Sequence, residues 1–195
     1  MKLVFATNNT HKLSEVRAIA SARFSIISLQ ELGCFDEIPE TGETLTENAL
    51  QKAQYIHNKF QCSCFADDTG LEIEALAGRP GVYSARYAGE HCSFKDNIKK
   101  VLTELNGVVN RKACFKTVIA LILHENQYFF EGKIDGEIIE TEKGTNGFGY
   151  DPVFKPLGYD RTFAQMTEAE KNSISHRALA MKQLNDFLQT CPILK

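Results

Sequence analysis

Residues 113–139 read ACFKTVIALILHENQYFFEGKIDGEII, and this stretch decides more of the fold than any other. Its first half contains the apolar run TVIALIL at residues 117–123, which predicts a strand buried on both faces. Its second half, residues 127–139, predicts an antiparallel partner for that strand. The sheet of this protein is therefore expected to contain at least one antiparallel pair.

The start of the chain predicts a strand followed by a helix. Residues 2–6, KLVFA, form a short apolar run that ends in the polar turn TNNT at residues 7–10. Leu13, Val16 and Ala20 then recur at helical spacing. Together with the hairpin, this order of strand, loop and helix predicts a fold of the α/β class with a mixed sheet.

Three further helical segments are expected. Thr44 and Glu47 have the spacing of a capping box, and apolar residues then recur at steps of three or four, which predicts a helix over residues 45–60. A second helix is expected near residues 94–105. The last helical region presents one apolar face, formed by Ile174, Ala178, Met181, Leu184 and Leu188.

The composition is that of an ordinary globular protein. The chain of 195 residues is 43% hydrophobic and 24% charged, which suits a single domain over residues 1–195 and excludes disordered and fibrous classes. Twenty-two Lys and Arg against 25 Asp and Glu give a net charge of −3, so no basic field attracts nucleic acid or anionic lipid. A small-molecule partner is expected, with neither nucleic acid nor membrane.

The six cysteines are spread along the chain, and Cys62 and Cys64 form the one close pair. A single residue separates these two, rather than the two residues of a zinc knuckle, so we interpret all six as reduced thiols. The apolar run at residues 2–6 is too short for a signal peptide or a membrane span. A cytoplasmic location is expected.

The loop at residues 7–12, TNNTHK, is the first candidate site. Free N–H groups and the positive end of the helix dipole suit an anion there, and Lys12 adds a full charge one turn into the helix. The alternative is that Asn9 or Thr10 only caps the helix and that Lys12 is solvated.

Three acidic residues form the second candidate, a magnesium site. Glu40 lies in the turn PETG at residues 39–42, whereas Asp67 and Asp68 begin DDTG at residues 67–70, which predicts a strand end at a tight turn. Carboxylates completed by water and phosphate oxygens commonly hold Mg²⁺ beside a nucleotide, although acids are also common in turns. Because alternation along a strand points neighbouring side chains to opposite faces, we favour Asp68 for the pocket.

The third candidate consists of Phe148, Asp151, Lys171, His176 and Arg177. The first two lie in a glycine-rich loop, GTNGFGYDP. An aromatic ring there offers a stacking plane for a base, and the Lys, His and Arg side chains offer donors to a keto oxygen or a phosphate. Each residue also has a structural interpretation: core packing for Phe148, a solvated helix face for Lys171 and Arg177, and a polar helix start for His176.

Seven short motifs keep one order along nearly the whole chain: T-x-N-x-x-K at 7–12, ETG at 40–42, ENA at 47–49, ADDTGL at 66–71, PGVYSARY at 80–87, GFGYDP at 147–152 and SHR at 175–177. Taken together, they resemble the inosine triphosphate pyrophosphatase family, house-cleaning hydrolases of nucleotide metabolism. Thr69 departs from the family, which often has Ser at this position, but it retains the hydroxyl group.

The resemblance implies an elongated mixed sheet with flanking helices, two lobes around a central nucleotide cleft, and a homodimer. It also implies that Glu40 and Asp68 hold Mg²⁺ and that Asp68 accepts the proton during catalysis. The substrate-binding residues that it implies are Thr7, Asn8, Asn9, Thr10, His11, Lys12, Thr69, Phe148, Gly149, Tyr150, Asp151, Lys171, His176 and Arg177.

The reaction that the resemblance implies converts inosine, deoxyinosine and xanthosine triphosphates (ITP, dITP and XTP) to the nucleoside monophosphate and pyrophosphate. This activity removes non-standard purine nucleotides from the pool and protects DNA and RNA from their incorporation. A non-catalytic purine nucleotide sensor and a phosphatase that releases orthophosphate are the alternatives, and the reaction products distinguish all three.

Overall fold

The computed structural model of the protein describes residues 1–191. Over these residues the strands are β1 Lys2–Phe5, β2 Ser25–Ile27, β3 Cys64–Ile73, β4 Pro80–Gly81, β5 Lys112–Leu123, β6 Asn126–Ile138 and β7 Phe154–Pro156. The helices are α1 Thr10–Ile19, α2 Leu29–Leu32, α3 Leu45–Phe60, α4 Phe94–Glu104, α5 Glu168–Ile174 and α6 His176–Thr190.

The described strands form one mixed sheet in the order β2-β1-β3-β5-β6-β7, and β4 pairs with β3 outside this path. β1 runs parallel to both β2 and β3. β3 and β4 are antiparallel, and so are β6 and β7. The predicted α/β class with a mixed sheet and flanking helices is confirmed.

The predicted hairpin is formed by β5 and β6, which are neighbours in the sheet. His124 and Glu125 form the turn that joins them, and both have positive φ angles, 47° and 68°. Two consecutive residues of this conformation make a turn whose twist matches that of paired strands. The apolar run at residues 117–123 is buried throughout, as expected for a strand covered on both faces.

Helix α3 starts and ends where the sequence predicts. The Thr44 hydroxyl accepts a hydrogen bond from the Glu47 N–H at 3.1 Å, and the Glu47 carboxylate accepts one from the Thr44 N–H at 3.0 Å. This reciprocal capping satisfies two backbone donors at the start of the helix. Ala49, Ala53 and Ile56 form its fully buried stripe.

The chain divides into two compact units. Unit 1 comprises residues 1–68, 117–132 and 177–191 of the described chain, and unit 2 comprises residues 69–116 and 133–176. The expectation of one domain over the whole chain, and that of a central nucleotide cleft, both stay predictions.

In unit 1, both faces of the strands are covered by helices. Phe65 of β3 packs in an apolar cluster with Val16 of α1 and Leu184 of α6. Its neighbour Ala66 packs in a different cluster with Ala53 of α3. Because side chains alternate along a strand, the next two residues of β3, Asp67 and Asp68, are expected to face α1 and α6, and α3, respectively. This alternation determines where the two aspartates that follow are directed.

Unit 2 has its own apolar cluster. Leu71 of β3, Ile98 of α4, Phe115 of β5 and Phe154 of β7 all lie in it. Phe115 and Phe154 meet edge to face, with their ring centroids 4.7 Å apart. The predicted helix near residues 94–105 is α4, whose Ile98 and Val101 are buried.

One local prediction is wrong. Residues 67–70 do not end a strand at a tight turn, because β3 continues through Ile73. Gly70 is needed there for a close approach to β4: a Cβ on it would lie 2.8 Å from the Gly81 carbonyl oxygen. The last helical region consists of two helices, because Ser175 between α5 and α6 is extended, with φ −66° and ψ 156°. Helix α6 begins at His176, as the structural interpretation of this residue predicts.

Replacing Gly70 by alanine is expected to lower the free energy of unfolding by about 1–3 kcal/mol, because the added methyl group overlaps the β4 backbone. Urea unfolding monitored by circular dichroism measures this loss. The control is Gly33→Ala, at a C-cap with φ 79° and open space around it, for which about 1 kcal/mol is expected. An equal or smaller loss for Gly70→Ala would contradict the close approach.

The sequence also carries predictions about the cysteines and about a membrane span. All six cysteines, which lie within the described residues, are free thiols. No helix in the part of the chain that the structure describes is both long and apolar enough to cross a bilayer.

Candidate active site

Asp67 and Asp68 are buried neighbours near the middle of β3, with 1% and 7% of their surfaces exposed. Asp67 pairs with residues of α1 and α6, whereas Asp68 contacts residues of α3. The opposite directions predicted for the two side chains are therefore confirmed. Each carboxylate is the centre of a separate polar cluster within unit 1.

The first cluster surrounds Asp67. The Lys12 ammonium donates to Asp67 Oδ1 at 3.0 Å, and Arg177 Nε donates to Asp67 Oδ2 at 3.1 Å. The Arg177 guanidinium also pairs with Glu15 of α1. Burial opposes ionisation of Asp67, but the charges of Lys12 and Arg177 outweigh it and hold the pKa of this carboxyl well below its usual range.

Helix α1 places Lys12 in this cluster. Asn9 is the N-cap, and its Oδ1 accepts hydrogen bonds from the N–H groups of His11 and Lys12 at 3.0 and 3.1 Å. The capping alternative thus holds for Asn9. The solvated alternative for Lys12 is wrong, because its side chain is 14% exposed and pairs with Asp67. Burial lowers the pKa of Lys12, and Asp67 partly offsets this effect.

The remaining residues of the 7–12 loop either form hydrogen bonds that hold the loop or are exposed to solvent. The Thr7 hydroxyl accepts from the Asn9 N–H at 3.2 Å, and Asn8 Nδ2 donates to the Asp36 carbonyl at 3.1 Å. Thr10 and His11 begin α1 and are exposed. The loop therefore has a defined conformation with an accessible first helical turn.

The second cluster surrounds Asp68. Asn48 Nδ2 donates to Asp68 Oδ2 at 3.2 Å, and the Lys52 ammonium lies 3.5 Å from Asp68 Oδ1 and 2.5 Å from Glu40 Oε1. Asn48 Oδ1 in turn accepts from the Gly42 N–H at 2.8 Å, which ties the segment containing Glu40 to α3. The two carboxylates predicted to hold a metal therefore converge on one cationic group.

Sequence reasoning missed Lys52 and Asn48. They lie one turn apart on α3, at positions 7% and 0% exposed, next to the apolar stripe of the helix. In the sequence, a lysine and an asparagine beside the apolar stripe of this helix indicate buried polar side chains that need partners. Glu15, which pairs with Arg177, lies in the same way next to buried Val16 on α1.

The donor set of the second cluster fits Mg²⁺. Over residues 1–191, no group of three or more His, Cys, Asp or Glu side chains is arranged to hold a metal ion. Glu40 and Asp68 instead offer two carboxylates, and Mg²⁺ commonly takes one or two of these and completes its shell with water and phosphate oxygens. Burial raises the pKa of Asp68, and Lys52 counteracts only part of this shift.

Unit 2 contains a third cluster, built on the glycine-rich loop. The Lys171 ammonium donates to Asp151 Oδ2 at 2.5 Å and lies 4.8 Å from the centre of the Phe148 ring. The same Asp151 oxygen accepts from the Phe148 N–H at 2.9 Å. Gly147 is required beside it, because a Cβ there would lie 2.0 Å from Asp151 Oδ2. These contacts bring three predicted site residues together.

The other predicted residues of unit 2 lie close by in sequence but have different environments. The buried Tyr150 hydroxyl donates to the Ser84 carbonyl at 2.9 Å, so its side chain anchors the loop. Gly149 has a φ of 63°, and Thr69 is half-buried. The buried His176 ring stacks on Phe115, with the centroids 4.6 Å apart.

The solvated alternative for Lys171 and Arg177 is wrong, since these residues are 4% and 1% exposed. Core packing for Phe148 is also not found, because this residue is only partly buried. Buried cations held by carboxylates are costly unless they are paired, and clusters of them are typical of functional sites. The roles of the individual residues stay predictions.

Comparison with known proteins agrees with the resemblance that the sequence motifs carry. A dITP/XTP pyrophosphatase of Porphyromonas gingivalis is 56% identical over 96% of this chain and 97% of its own length. That of Flavobacterium johnsoniae is 52% identical over 96% of this chain and 98% of its own length. The structure of the Staphylococcus aureus Ham1 protein, 39% identical, superposes with a TM-score of 0.88 over 97% of this chain and 98% of that one. The family model that matches, over residues 3–187, is that of the Ham1 family, and the chain therefore belongs to the Ham1 family.

Proposed function

We infer that this protein is a nucleoside triphosphate pyrophosphatase. It hydrolyses the non-standard purine nucleotides ITP, dITP and XTP to the nucleoside monophosphate and pyrophosphate, and so clears them from the nucleotide pool before they enter DNA or RNA. The observation that carries this conclusion is the convergence of Glu40 and Asp68 on one cationic group, in a chain whose relatives are dITP/XTP pyrophosphatases along their full length.

Asp68 is the proposed proton acceptor for the attacking water. A free aspartate is a weak base, with a pKa of ~3.9. Burial raises the pKa of Asp68, which makes it a better base near neutral pH. The amide of Asn48 holds Asp68 Oδ2, so the orientation of the carboxylate is set before a substrate arrives. Asp68 therefore combines basicity with a defined position.

Glu40 and Asp68 are also the proposed ligands of Mg²⁺. When bound, Mg²⁺ neutralises charge on phosphate oxygens and lowers the pKa of a water molecule. Lys12 and the first turn of α1 are the proposed contacts of the polyphosphate, together with the other residues of the 7–12 loop. Their positive charge stabilises the negative charge that grows on the pyrophosphate leaving group.

Arg177 belongs to the proposed substrate-binding residues, and we also propose that it positions Lys12. The Arg177 guanidinium binds one oxygen of Asp67, and the Lys12 ammonium binds the other. Arg177 therefore fixes the position of the Lys12 ammonium through Asp67. A fixed charge costs no reorganisation when the transition state forms.

The residues of unit 2 are the proposed contacts of the purine. The Phe148 ring offers a stacking plane, and Lys171, fixed by Asp151, offers a cationic donor beside it. Hypoxanthine and xanthine carry a 6-keto acceptor where adenine carries an amino donor, so donors here favour the keto bases and disfavour ATP. Thr69, Gly149, Tyr150 and His176 complete the proposed set.

We further propose a cytoplasmic homodimer. The dimer is what the family resemblance implies, and six unpaired cysteines suit a reducing compartment. Light scattering coupled to size exclusion tests the assembly: a mass of one chain would contradict it.

The activity is tested by a product assay over a panel of nucleoside triphosphates, with and without Mg²⁺ and at neutral and alkaline pH. We expect pyrophosphate from ITP, dITP and XTP, little from ATP, and almost none after chelation of the metal. Orthophosphate as the product would indicate a phosphatase. Binding of ITP without turnover would indicate a sensor.

Replacing Lys12 by alanine is expected to raise the KM for ITP about tenfold or more and to leave the fold intact. The phosphate loses a fixed charge, whereas Asp67 keeps its pair with Arg177. Steady-state kinetics and a thermal melt measure the two effects. An unchanged KM and kcat would mean that Lys12 only stabilises Asp67.

A further inference from the structure

Lys52 takes a position that a metal ion would also need. Its ammonium nitrogen lies 2.5 Å from Glu40 Oε1 and 3.5 Å from Asp68 Oδ1, so it bridges the two carboxylates that the proposed function assigns to Mg²⁺. Hard cations bind carboxylate oxygens at a little over 2 Å, which is closer than an ammonium nitrogen approaches. The Lys52 ammonium and a metal ligated by these oxygens therefore compete for the same place.

The ammonium also supplies the charge that a metal would supply. The side chains of Lys52 and Asp68 are both 9% exposed, and that of Glu40 is one-third exposed. Two carboxylates that lie near each other, one of them buried, repel unless a cation lies between them. A compact ammonium on a flexible four-carbon stem meets this need and can turn away when another cation replaces it.

The hydrogen bonds around Asp68 permit such an exchange. Asn48 donates to Oδ2, the oxygen that Lys52 does not approach, and is itself held by the Gly42 N–H. Departure of Lys52 therefore frees Asp68 Oδ1 and leaves the carboxylate fixed through its other oxygen. The contact of Lys52 with Glu40 Oε1 ends in the same event.

We propose that Lys52 is an internal substitute for the metal: its ammonium bridges Glu40 and Asp68 in the nucleotide-free enzyme and must leave before a divalent cation is bound there. This inference rests on the proposed metal site. The nucleotide-free enzyme then has a low metal affinity, and it takes up the metal together with a triphosphate, whose oxygens attract the displaced ammonium. Lys52 thus couples metal binding to the presence of substrate.

The test is Mn²⁺ binding to the nucleotide-free full chain, measured by electron paramagnetic resonance and by calorimetry. Lys52→Met and Lys52→Gln remove the charge, and Lys52→Gln keeps a hydrogen-bond donor for Glu40 in case the methionine variant fails to fold. Both are expected to bind Mn²⁺ at least ~10-fold more tightly than the wild type. Lys52→Arg keeps the charge and is expected to bind as weakly as the wild type.

A second readout is thermal stability. Mn²⁺ is expected to raise the Tm of Lys52→Gln more than that of the wild type, because the metal replaces the missing cation between the carboxylates. Equal or weaker Mn²⁺ binding by a folded Lys52→Gln, including no detectable binding at millimolar metal, overturns the proposal.

A double variant separates this inference from the proposed metal site. Adding Asp68→Asn to Lys52→Gln is expected to abolish the gain in Mn²⁺ affinity. If the gain persists without the Asp68 carboxylate, the proposed metal site is wrong. If instead Asp68→Asn weakens Mn²⁺ binding in the wild-type background but Lys52→Gln brings no gain, the metal site stands and the role of Lys52 as its substitute is wrong.

Discussion

Asp68→Asn is expected to lower kcat for ITP by at least ~10²-fold, because the amide can neither accept a proton nor offer a charged oxygen to a metal. The substitution preserves the shape of the side chain, and the hydrogen bond from Asn48 can be made to the amide oxygen instead of Asp68 Oδ2. Steady-state kinetics with Mg²⁺ measure the loss. Turnover near the wild-type rate by the folded variant would contradict both proposed roles of Asp68.

The same variant is expected to stay folded, with a free energy of unfolding within about 1 kcal/mol of the wild type at pH 7. The pKa of Asp68 is raised in the folded protein by burial, so the folded state holds this proton to higher pH than the unfolded chain does. Between the pKa of Asp68 in the unfolded chain and its higher pKa in the folded protein, rising pH lowers the free energy of unfolding of the wild type. The neutral amide of the variant does not titrate and does not show this loss. A matched control is Asp135→Asn, an exposed residue of β6, for which full activity is expected.

Arg177→Met is expected to destabilise the protein by about 3–5 kcal/mol, because it leaves two buried carboxylates without their shared cation. Arg177 pairs with Asp67 and Glu15, and its side chain is 1% exposed. Lys12 remains beside Asp67 but does not replace the guanidinium between the two acids. Urea unfolding at pH 7 measures the loss.

Acid is expected to reduce the difference between Arg177→Met and the wild type. The pKa of Asp67 is held below its usual range in the wild type, so this carboxylate contributes stability above ~pH 4 that is lost as the pH falls through its folded pKa. The control is Arg161→Met, which breaks a pair with Glu170 whose side chains are 46% and 44% exposed, and for which at most about 1 kcal/mol is expected. Equal costs for the two arginines would contradict the buried cluster.

Periodicity and capping predicted the regular elements well. Helix α3 begins at Leu45 and ends at Phe60, as the Thr44 and Glu47 signal and the apolar steps indicate. The β5–β6 hairpin was predicted within a few residues at each end. Such signals act through hydrogen bonds and side-chain contacts between residues close in sequence, so a single sequence is enough to detect them.

The error at residues 67–70 has a different origin. Adjacent acids followed by glycine favour a turn locally, but the pairing of β3 with β4 overrides this preference, and Gly70 serves the approach of the two strands. Nothing within those four residues indicates the position of Gly81. The alternation of Asp67 and Asp68 was predictable nonetheless, because it follows from strand geometry alone.

The sequence by itself determined the class of the fold, the bounds of α3 and, within one residue, of α4, the family, and the opposite directions of the two aspartates. Only the tertiary structure decided which partners these carboxylates have: Arg177, 110 residues away, for Asp67, and Lys52 for Asp68. The physical reason is that a buried carboxylate pairs with the polar side chains of whichever helix covers its face of the sheet. That choice depends on the packing of α1, α3 and α6 on the strands, which no local pattern encodes.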